Sequence, residues 1–163
     1  MYSIVGHLTD TSQALSIALP ALQHVSQHRQ LTPWATEAGG QLFGTLNAAQ
    51  ICVTEATGPY AGDGRSKYRY RSNPAAAQRA IEDRHKRGLL YLGEWHTHAE
   101  DEPSASGLDD DAMRRLIASS QLNSNALLMM IVGRAPSATG LAVWSVSSEA
   151  ARRWIRSTNL EET

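Results

Sequence analysis

The segment LLYLGEWHTH, residues 89–98, constrains the fold of this chain more than any other stretch. It is mostly apolar, which predicts a central β-strand. On a strand, residues i and i+2 point to the same face, whereas on a helix they point roughly 200° apart. His96 and His98 can therefore converge only if this segment is extended, and Thr97 then points to the opposite face.

Strand-type and helix-type patterns are interleaved along the rest of the chain. Strand patterns cover residues 39–46, 51–57, 67–72, 126–133 and 140–147, and helix patterns cover residues 11–30, 74–87, 108–120 and 148–157. Within the first of these helices, Pro20 predicts a kink or break. The mixture of interleaved elements and adjacent strand pairs predicts an α/β sandwich with a mixed sheet.

The composition fits one globular domain that spans residues 1–163. Hydrophobic residues make up 42% of the chain and charged residues 19%, and the formal net charge is −1. This balance predicts no bulk attraction to nucleic acid or to an anionic membrane. The single cysteine, Cys52, excludes an intrachain disulfide, and no apolar stretch is long enough to span a bilayer. We expect a cytoplasmic protein.

Carboxylates downstream of the two histidines could complete a metal site. A catalytic zinc ion takes three protein ligands and leaves a fourth position for water. Asp109, Asp110 and Asp111 follow a loop that lets the chain fold back towards the histidines. The same stretch also fits a helix start, with Ser106 at the N-cap and Asp109 at the N3 position. From the residues alone, both interpretations stay open.

The complete arrangement resembles the JAB/MPN metallopeptidases, the zinc isopeptidases also called JAMM. Their signature is an upstream glutamate, then His-Ser/Thr-His, seven residues, Ser, two residues and Asp. In this chain the His-Thr-His at residues 96–98 is followed by AEDEPSA, Ser106, two residues and Asp109. The segment EAGGQLFG resembles the surroundings of the family's glutamate and nominates Glu37. The resemblance covers about residues 37–144 and selects one of the three aspartates.

This resemblance implies a fold, a cofactor and a role for each motif residue. The fold would be a three-layer-like sandwich with a mixed, curved β-sheet flanked by helices, related to the cytidine deaminases. His96, His98 and Asp109 would bind Zn²⁺. Glu37 would take a proton from the attacking water and pass it to the leaving amine, and Ser106 would hold the oxyanion.

A narrower resemblance links GEWHTH, EAGGQLFG and GDGRSKYRY to the stand-alone bacterial JAB peptidases of antiphage, CBASS-type operons. It implies hydrolysis of the amide that joins the C-terminal tail of a conjugated protein to its target. The conjugated protein would be a cyclic-nucleotide synthase or a ubiquitin-like protein. An operon-encoded transferase-like protein would form the link. Neither nucleic acid nor a membrane is expected as a partner.

Other functions remain open. One alternative is a non-catalytic MPN-type module that binds protein, and another is a peptidase for a sulfur carrier or a small molecule. A zinc deaminase is excluded because it needs a PCxxC pattern, which a chain with one cysteine cannot supply.

Two features near the predicted site are also ambiguous. Residues 67–71 alternate basic and tyrosine side chains, which favours a solvated hairpin face over a nucleic-acid strand. A basic edge of this kind could instead steer an acidic protein partner. Trp34, close to Glu37, is expected to provide hydrophobic cover, with a substrate groove as the alternative.

Overall fold

The computed structural model describes residues 4–7, 12–104, 111, 113–115, 117, 126–136 and 138–156. Its strands are β1 (Ile4–His7), β2 (Ala14–Ile17), β3 (Gly39–Leu46), β4 (Gln50–Ala56), β5 (Gly64–Arg65), β6 (Tyr70–Arg71), β7 (Leu90–Thr97), β8 (Ala126–Val132), β9 (Leu141–Ser147), β10 (Ala151–Arg153) and β11 (Ile155–Arg156). The helices are α1 (Leu19–Ser26) and α2 (Pro74–Lys86). Residues 111, 113–115 and 117 are also helical. Among these described helical residues, no helix is long and apolar enough to cross a membrane.

Nine of the described strands form one mixed sheet in the order β10-β9-β8-β7-β3-β4-β2-β1-β11. β2 runs parallel to β4 and β7 runs parallel to β8, while the other neighbours are antiparallel. β7 pairs with β3 on one edge and β8 on the other, which confirms the central strand predicted from residues 89–98. β5 and β6 form a separate hairpin.

Helices cover both faces of this sheet. On one face, α1 buries Val25 in a cluster that includes Leu42 and Trp95. Phe43 follows Leu42 along β3 and so points to the opposite face. There the guanidinium of Arg84, on α2, lies 5.5 Å from the centre of the Phe43 ring. The layers of helix, sheet and helix confirm the predicted α/β sandwich with a mixed sheet.

The face covered by α2 also carries a second hydrophobic cluster. Met113, from the helical segment after the histidines, packs there with Met129, Ile131 and Trp144 of β8 and β9. Tyr91 borders this cluster, and its ring centre lies 6.2 Å from that of Phe43. The core therefore continues beneath the strand that carries the histidines, so that strand has little freedom to shift.

The helix predicted over residues 11–30 is wrong in its first part. Residues 14–17 form β2, which runs parallel to β4, and Leu15 and Ile17 are buried. The alternating burial of ALSI is that of a strand, and the neighbouring strands β4 and β1 supply its hydrogen bonds. Pro20 lies in the first turn of α1, where it lacks only an N–H that no helical carbonyl would accept. It therefore starts the helix instead of kinking it.

The closing helix predicted over residues 148–157 is also wrong. The chain turns at Ser147, whose N–H donates to Ala150 O, and residues 151–153 pair with β9 as strand β10. Trp154 is buried in the cluster beneath α1, and its indole N–H donates to Ser145 Oγ at 3.0 Å. Pairing with β9 and burial of this tryptophan outweigh the helical pattern. The predicted strand over residues 67–72 shortens to Tyr70–Arg71.

Gly44 allows β3 and β4 to approach closely, because a Cβ there would lie 1.7 Å from Cys52 O. We expect Gly44→Ala to destabilise the fold by about 1–3 kcal/mol, since the strands must separate to admit a methyl group. Gly64→Ala is the control, because its Cβ would meet no atom closer than 3.5 Å. Urea denaturation measures both free energies of unfolding. Equal stability of the two variants would contradict this account of the β3–β4 contact.

Candidate active site

The two histidines of the HTH motif converge at the end of β7. The Nε2 atoms of His96 and His98 lie 3.1 Å apart, and His98 is only 8% exposed. The backbone N–H of His98 donates to Val132 O at 3.0 Å, which continues the pairing with β8 beyond the strand. Two nitrogens bound to one tetrahedral zinc ion lie roughly 3.3 Å apart. The histidine pair therefore fits two of the three protein ligands expected for zinc.

Thr97 points to the opposite face, as predicted, and is fully buried. Its backbone N–H donates to Ala38 O at 2.8 Å, and its hydroxyl accepts from the N–H of Ala38 at 2.9 Å. The hydroxyl also donates to Gln30 Oε1 at 2.9 Å. Thr97 therefore holds Ala38, the residue that follows Glu37 and precedes β3.

Glu37 is brought to the same region by the register between β3 and β7. Gly39 pairs with His96, and the backbone N–H of Thr97 donates to Ala38 O at 2.8 Å. Glu37 directly precedes this last contact, so it lies at the end of β3 that adjoins the histidine segment. Glu37 is 6% exposed. The structure thus brings Glu37 to the edge of the sheet where the two histidines converge.

The backbone of Glu37 is held by the β5–β6 hairpin. Its N–H donates to Ser66 O at 2.7 Å, and its carbonyl accepts from Arg65 Nε at 2.7 Å. A loop residue whose donor and acceptor are both engaged has little freedom to rotate. The hairpin therefore fixes the direction from which the carboxylate side chain leaves the backbone.

The side chain of Gln30, which is 2% exposed, joins these pieces. Its oxygen accepts from Thr97 Oγ1, and its nitrogen donates to Ala35 O at 3.2 Å and Lys67 O at 3.1 Å. One amide thus connects β7, the loop before Glu37 and the hairpin. Sequence reasoning missed this residue because each of its partners is distant along the chain or is a backbone carbonyl. The only available signal was Thr97, a hydroxyl on the core face that needs a partner.

Tyr70 of the hairpin packs against the sheet beside His96. A Cβ at Gly39 would lie 2.5 Å from Tyr70 Cε1, so the ring occupies the space that a side chain would need. Gly39 and His96 are opposed and share a face. The Tyr70 hydroxyl donates to Asp63 Oδ2 at 2.7 Å. The hairpin is therefore seated on the histidine face as well as on Glu37.

Glu94 lies two residues before His96, on the same face, and makes a buried polar network. Its carboxylate accepts from Tyr91 Oη at 2.7 Å and from Gln41 Nε2 at 2.9 Å. Burial raises the pKa of Glu94 to about 8, although the two hydrogen bonds act in the opposite direction. Gln41 and Glu94 are register partners, so this bond helps to lock β3 against β7.

Ser106 and Asp109 lie outside the described residues. Within the described part of the chain, no three His, Cys, Asp or Glu side chains are grouped so that they could hold a metal ion. A further carboxylate lies near the ring of His98, whose Nδ1 is 3.9 Å from Glu100 Oε2. This carboxylate approaches the opposite side of the ring from Nε2, where partners of metal-binding histidines are commonly found.

Trp34 does not provide the hydrophobic cover that we expected. Its side chain is 80% exposed, although it lies three residues from the buried Glu37. A loop that is tied down by Gln30 presents this indole to solvent instead of folding it over the core. The alternative interpretation, in which Trp34 borders a substrate groove, stays a prediction.

A mixed sheet with two histidines at the end of a central strand, and a buried glutamate just before the neighbouring strand, fits a JAB-type domain. Residues 19–147 match the family of prokaryotic homologs of the JAB domain, and the chain belongs to this family.

Curated relatives in two bacteria carry the name CD-NTase/cGAS isopeptidase. The Pseudomonas aeruginosa protein is 34% identical over 128 residues, which cover 77% of this chain and 80% of that protein. The Vibrio cholerae protein is 34% identical over 110 residues, which cover 66% of this chain and 68% of that protein.

The fold is similar to the solution structure of a protein from Desulfitobacterium hafniense. The TM-score is 0.61, the sequence identity is 19%, and the alignment covers 84% of this chain and 87% of that one. At this identity the likeness supports the fold alone.

Replacing the buried amide of Gln30 tests whether it holds β7, the loop before Glu37 and the hairpin together. We expect Gln30→Leu to lower the free energy of unfolding by about 1–3 kcal/mol, because Ala35 O, Lys67 O and the Thr97 hydroxyl lose a partner. The amide of Ala38 should also exchange with solvent faster. Gln23→Leu, at an exposed position of α1, is the control and should stay within about 0.5 kcal/mol of the wild type. Unchanged exchange at Ala38 would argue against a role for Gln30 in holding this segment.

Proposed function

We propose that this chain is a single-domain, zinc-dependent isopeptidase. It would hydrolyse the amide between the C-terminal tail of a conjugated protein and its target. The observation that carries the proposal is the convergence of the His96 and His98 Nε2 atoms at 3.1 Å, on the sheet edge that Glu37 also reaches. Membership of the JAB family supports the same chemistry.

The names of the relatives support the proposed substrate. The two curated relatives described above are CD-NTase/cGAS isopeptidases, and this chain spans about 80% and 68% of their lengths. We therefore propose a cyclic-nucleotide synthase as the conjugated protein, with a ubiquitin-like protein as the related possibility. The enzyme that forms the link would be a transferase-like protein, and both reactions would take place in the cytoplasm.

The proposed metal ligands are His96, His98 and Asp109. Neutral imidazole and carboxylate are donors that zinc prefers, and the separation of the two ring nitrogens suits one shared ion. Zinc bound there would polarise the scissile carbonyl and favour deprotonation of the attacking water.

Glu37 is proposed as the general base. Its side chain is buried, and its backbone is held at both the N–H and the carbonyl, so the carboxylate meets the water in a fixed orientation. It would accept the proton of the attacking water and return it to the nitrogen of the leaving amine. Ser106 would donate a hydrogen bond to the oxygen of the carbonyl as negative charge develops on it.

Glu37→Gln tests the base. We expect cleavage of an isopeptide-linked tail fusion to fall by about 10²–10⁴-fold, because the amide cannot accept the proton. The zinc content and melting temperature should stay unchanged. Glu149→Gln, at an exposed position before β10, is the control and should cleave at the wild-type rate. Full activity in a folded Glu37→Gln protein would remove Glu37 from its proposed role.

The histidine ligands are tested by metal content. We expect the wild type to bind one zinc ion per chain, measured by mass spectrometry of the metal, and His96→Ala to lose it. His85→Ala, on the exposed side of α2, should retain zinc. Zinc should raise the melting temperature of the wild type but not of His96→Ala, because only the folded site binds the ion. A folded wild type with no affinity for zinc would favour a non-catalytic binding module.

A further inference from the structure

We propose that a basic and aromatic rim beside Glu37 binds an acidic segment of the substrate tail, just before the scissile amide. The rim consists of Leu31, Trp34, Lys67, Tyr68 and Arg69. This inference deepens the proposed function and rests on it.

The rim exposes most of the large apolar surface in the described part of the chain. Four large hydrophobic side chains are exposed among the described residues, and three of them belong to the rim: Leu31 at 61%, Trp34 at 80% and Tyr68 at 74%. Exposed aromatic side chains of this size are typical of binding surfaces. Their clustering on one side of the site favours a contact with substrate.

The three side chains come from two loops that the structure joins. Leu31 and Trp34 flank the turn that leads to Ala35, whose carbonyl accepts from Gln30 Nε2. The same nitrogen donates to the carbonyl of Lys67, at the tip of the hairpin next to Tyr68. A single buried amide therefore brings both loops together and keeps the rim in one piece.

The charge of the rim is positive and uncompensated within the described residues. Lys67 and Arg69 are exposed, and neither forms an ion pair with another described residue. Lys67 Nζ lies 5.4 Å from the centre of the Tyr68 ring, so the cation stays over the aromatic surface. The nearby acid, Asp63, accepts from the Tyr70 hydroxyl and from the Tyr60 and Asn73 N–H groups. Its carboxylate is thus used within the hairpin.

The rim adjoins the proposed base directly. Ser66, between Arg65 and Lys67, accepts from the N–H of Glu37 at 2.7 Å. An extended chain advances about 3.3 Å per residue, so the first few residues of a tail leaving Glu37 would reach Lys67 and Tyr68. The rim is therefore placed to read the residues that immediately precede the amide.

Acidic residues directly follow the histidines along the chain. Glu100 and Glu102 are exposed, and Glu100 Oε2 lies 3.9 Å from His98 Nδ1, whereas Asp101 forms an ion pair with Arg134. An amine on the leaving side is favoured beside these acids, whereas an acidic acyl tail is favoured at the rim. A nucleic acid would meet both surfaces with the same negative charge, and the acidic loop would repel it. The charge pattern therefore favours a peptide whose acidic residues lie only on the acyl side.

Side-chain substitutions in the rim should leave the hairpin in place, because its contacts use the backbone carbonyls of Lys67 and Arg69. The test uses two isopeptide-linked tail fusions that differ only in glutamate or glutamine a few residues before the amide. We expect the wild type to cleave the acidic tail with a kcat/KM about three- to tenfold higher, mainly through a lower KM. High salt should remove this preference.

The variant Lys67→Glu combined with Arg69→Glu should lose or reverse the preference, with unchanged zinc content. Arg79→Glu combined with Lys86→Glu changes the net charge equally on α2 and should keep the preference. Trp34→Ala should raise KM for both tails. Equal cleavage of the two tails by the wild type and by the rim variant would contradict the proposed binding of acidic tails at the rim, but not the proposed hydrolase activity.

Fluorescence anisotropy of the two free tail peptides measures binding at the rim independently of amide cleavage. Tighter binding of the acidic peptide, lost in the rim variant, supports the rim even if the wild type cleaves neither fusion. Equal binding of both peptides by the wild type, together with tight and salt-sensitive binding of a single-stranded oligonucleotide, would overturn the proposal in favour of nucleic acid.

Discussion

The hydrogen bond between Gln30 and Thr97 is the interaction on which the candidate site depends. It joins residues 67 positions apart and lies wholly in the core, where an unpaired amide or hydroxyl would cost about 1–3 kcal/mol. Because Gln30 also bonds the carbonyls of Ala35 and Lys67, the strand with the histidines and the two loops around Glu37 move as one body. Because unsatisfied polar groups in the core are costly, these hydrogen bonds fix the positions of the connected segments relative to one another at the candidate site.

The side chains of the HTH motif point to both faces of β7 and have a different role on each face. The histidines on one face are the proposed metal ligands, and the threonine between them faces the other side and accepts a hydrogen bond from the N–H of Ala38. A residue with a hydroxyl is needed there because the N–H of Ala38 lies at the point where regular pairing between β3 and β7 ends. The alternation of side chains along three residues therefore positions both the proposed metal ligands and the threonine that holds Ala38.

Sequence reasoning succeeded where the signal was local. The extended segment before the histidines, the helix predicted over residues 74–87 and the convergence of His96 with His98 all follow from short-range periodicity. It failed for β2 and β10, where pairing with distant strands overrode helix-like patterns. The role of Gln30 could not be predicted, because a glutamine after a helix gives no indication that it bonds one strand residue and two loop carbonyls that are distant from one another along the chain. The positions of Ser106 and Asp109 lie outside the described residues and stay predictions.

The β5–β6 hairpin links the proposed base to the proposed substrate contact. Its inner edge holds the backbone of Glu37, and its tip carries Lys67 and Tyr68. A tail that binds the tip restrains the same hairpin that orients the carboxylate. Binding energy from residues remote from the scissile amide can therefore favour the reactive position of the base, and a truncated tail would lose turnover as well as affinity. The proposed recognition of the tail and the proposed catalytic base would thus depend on the same hairpin.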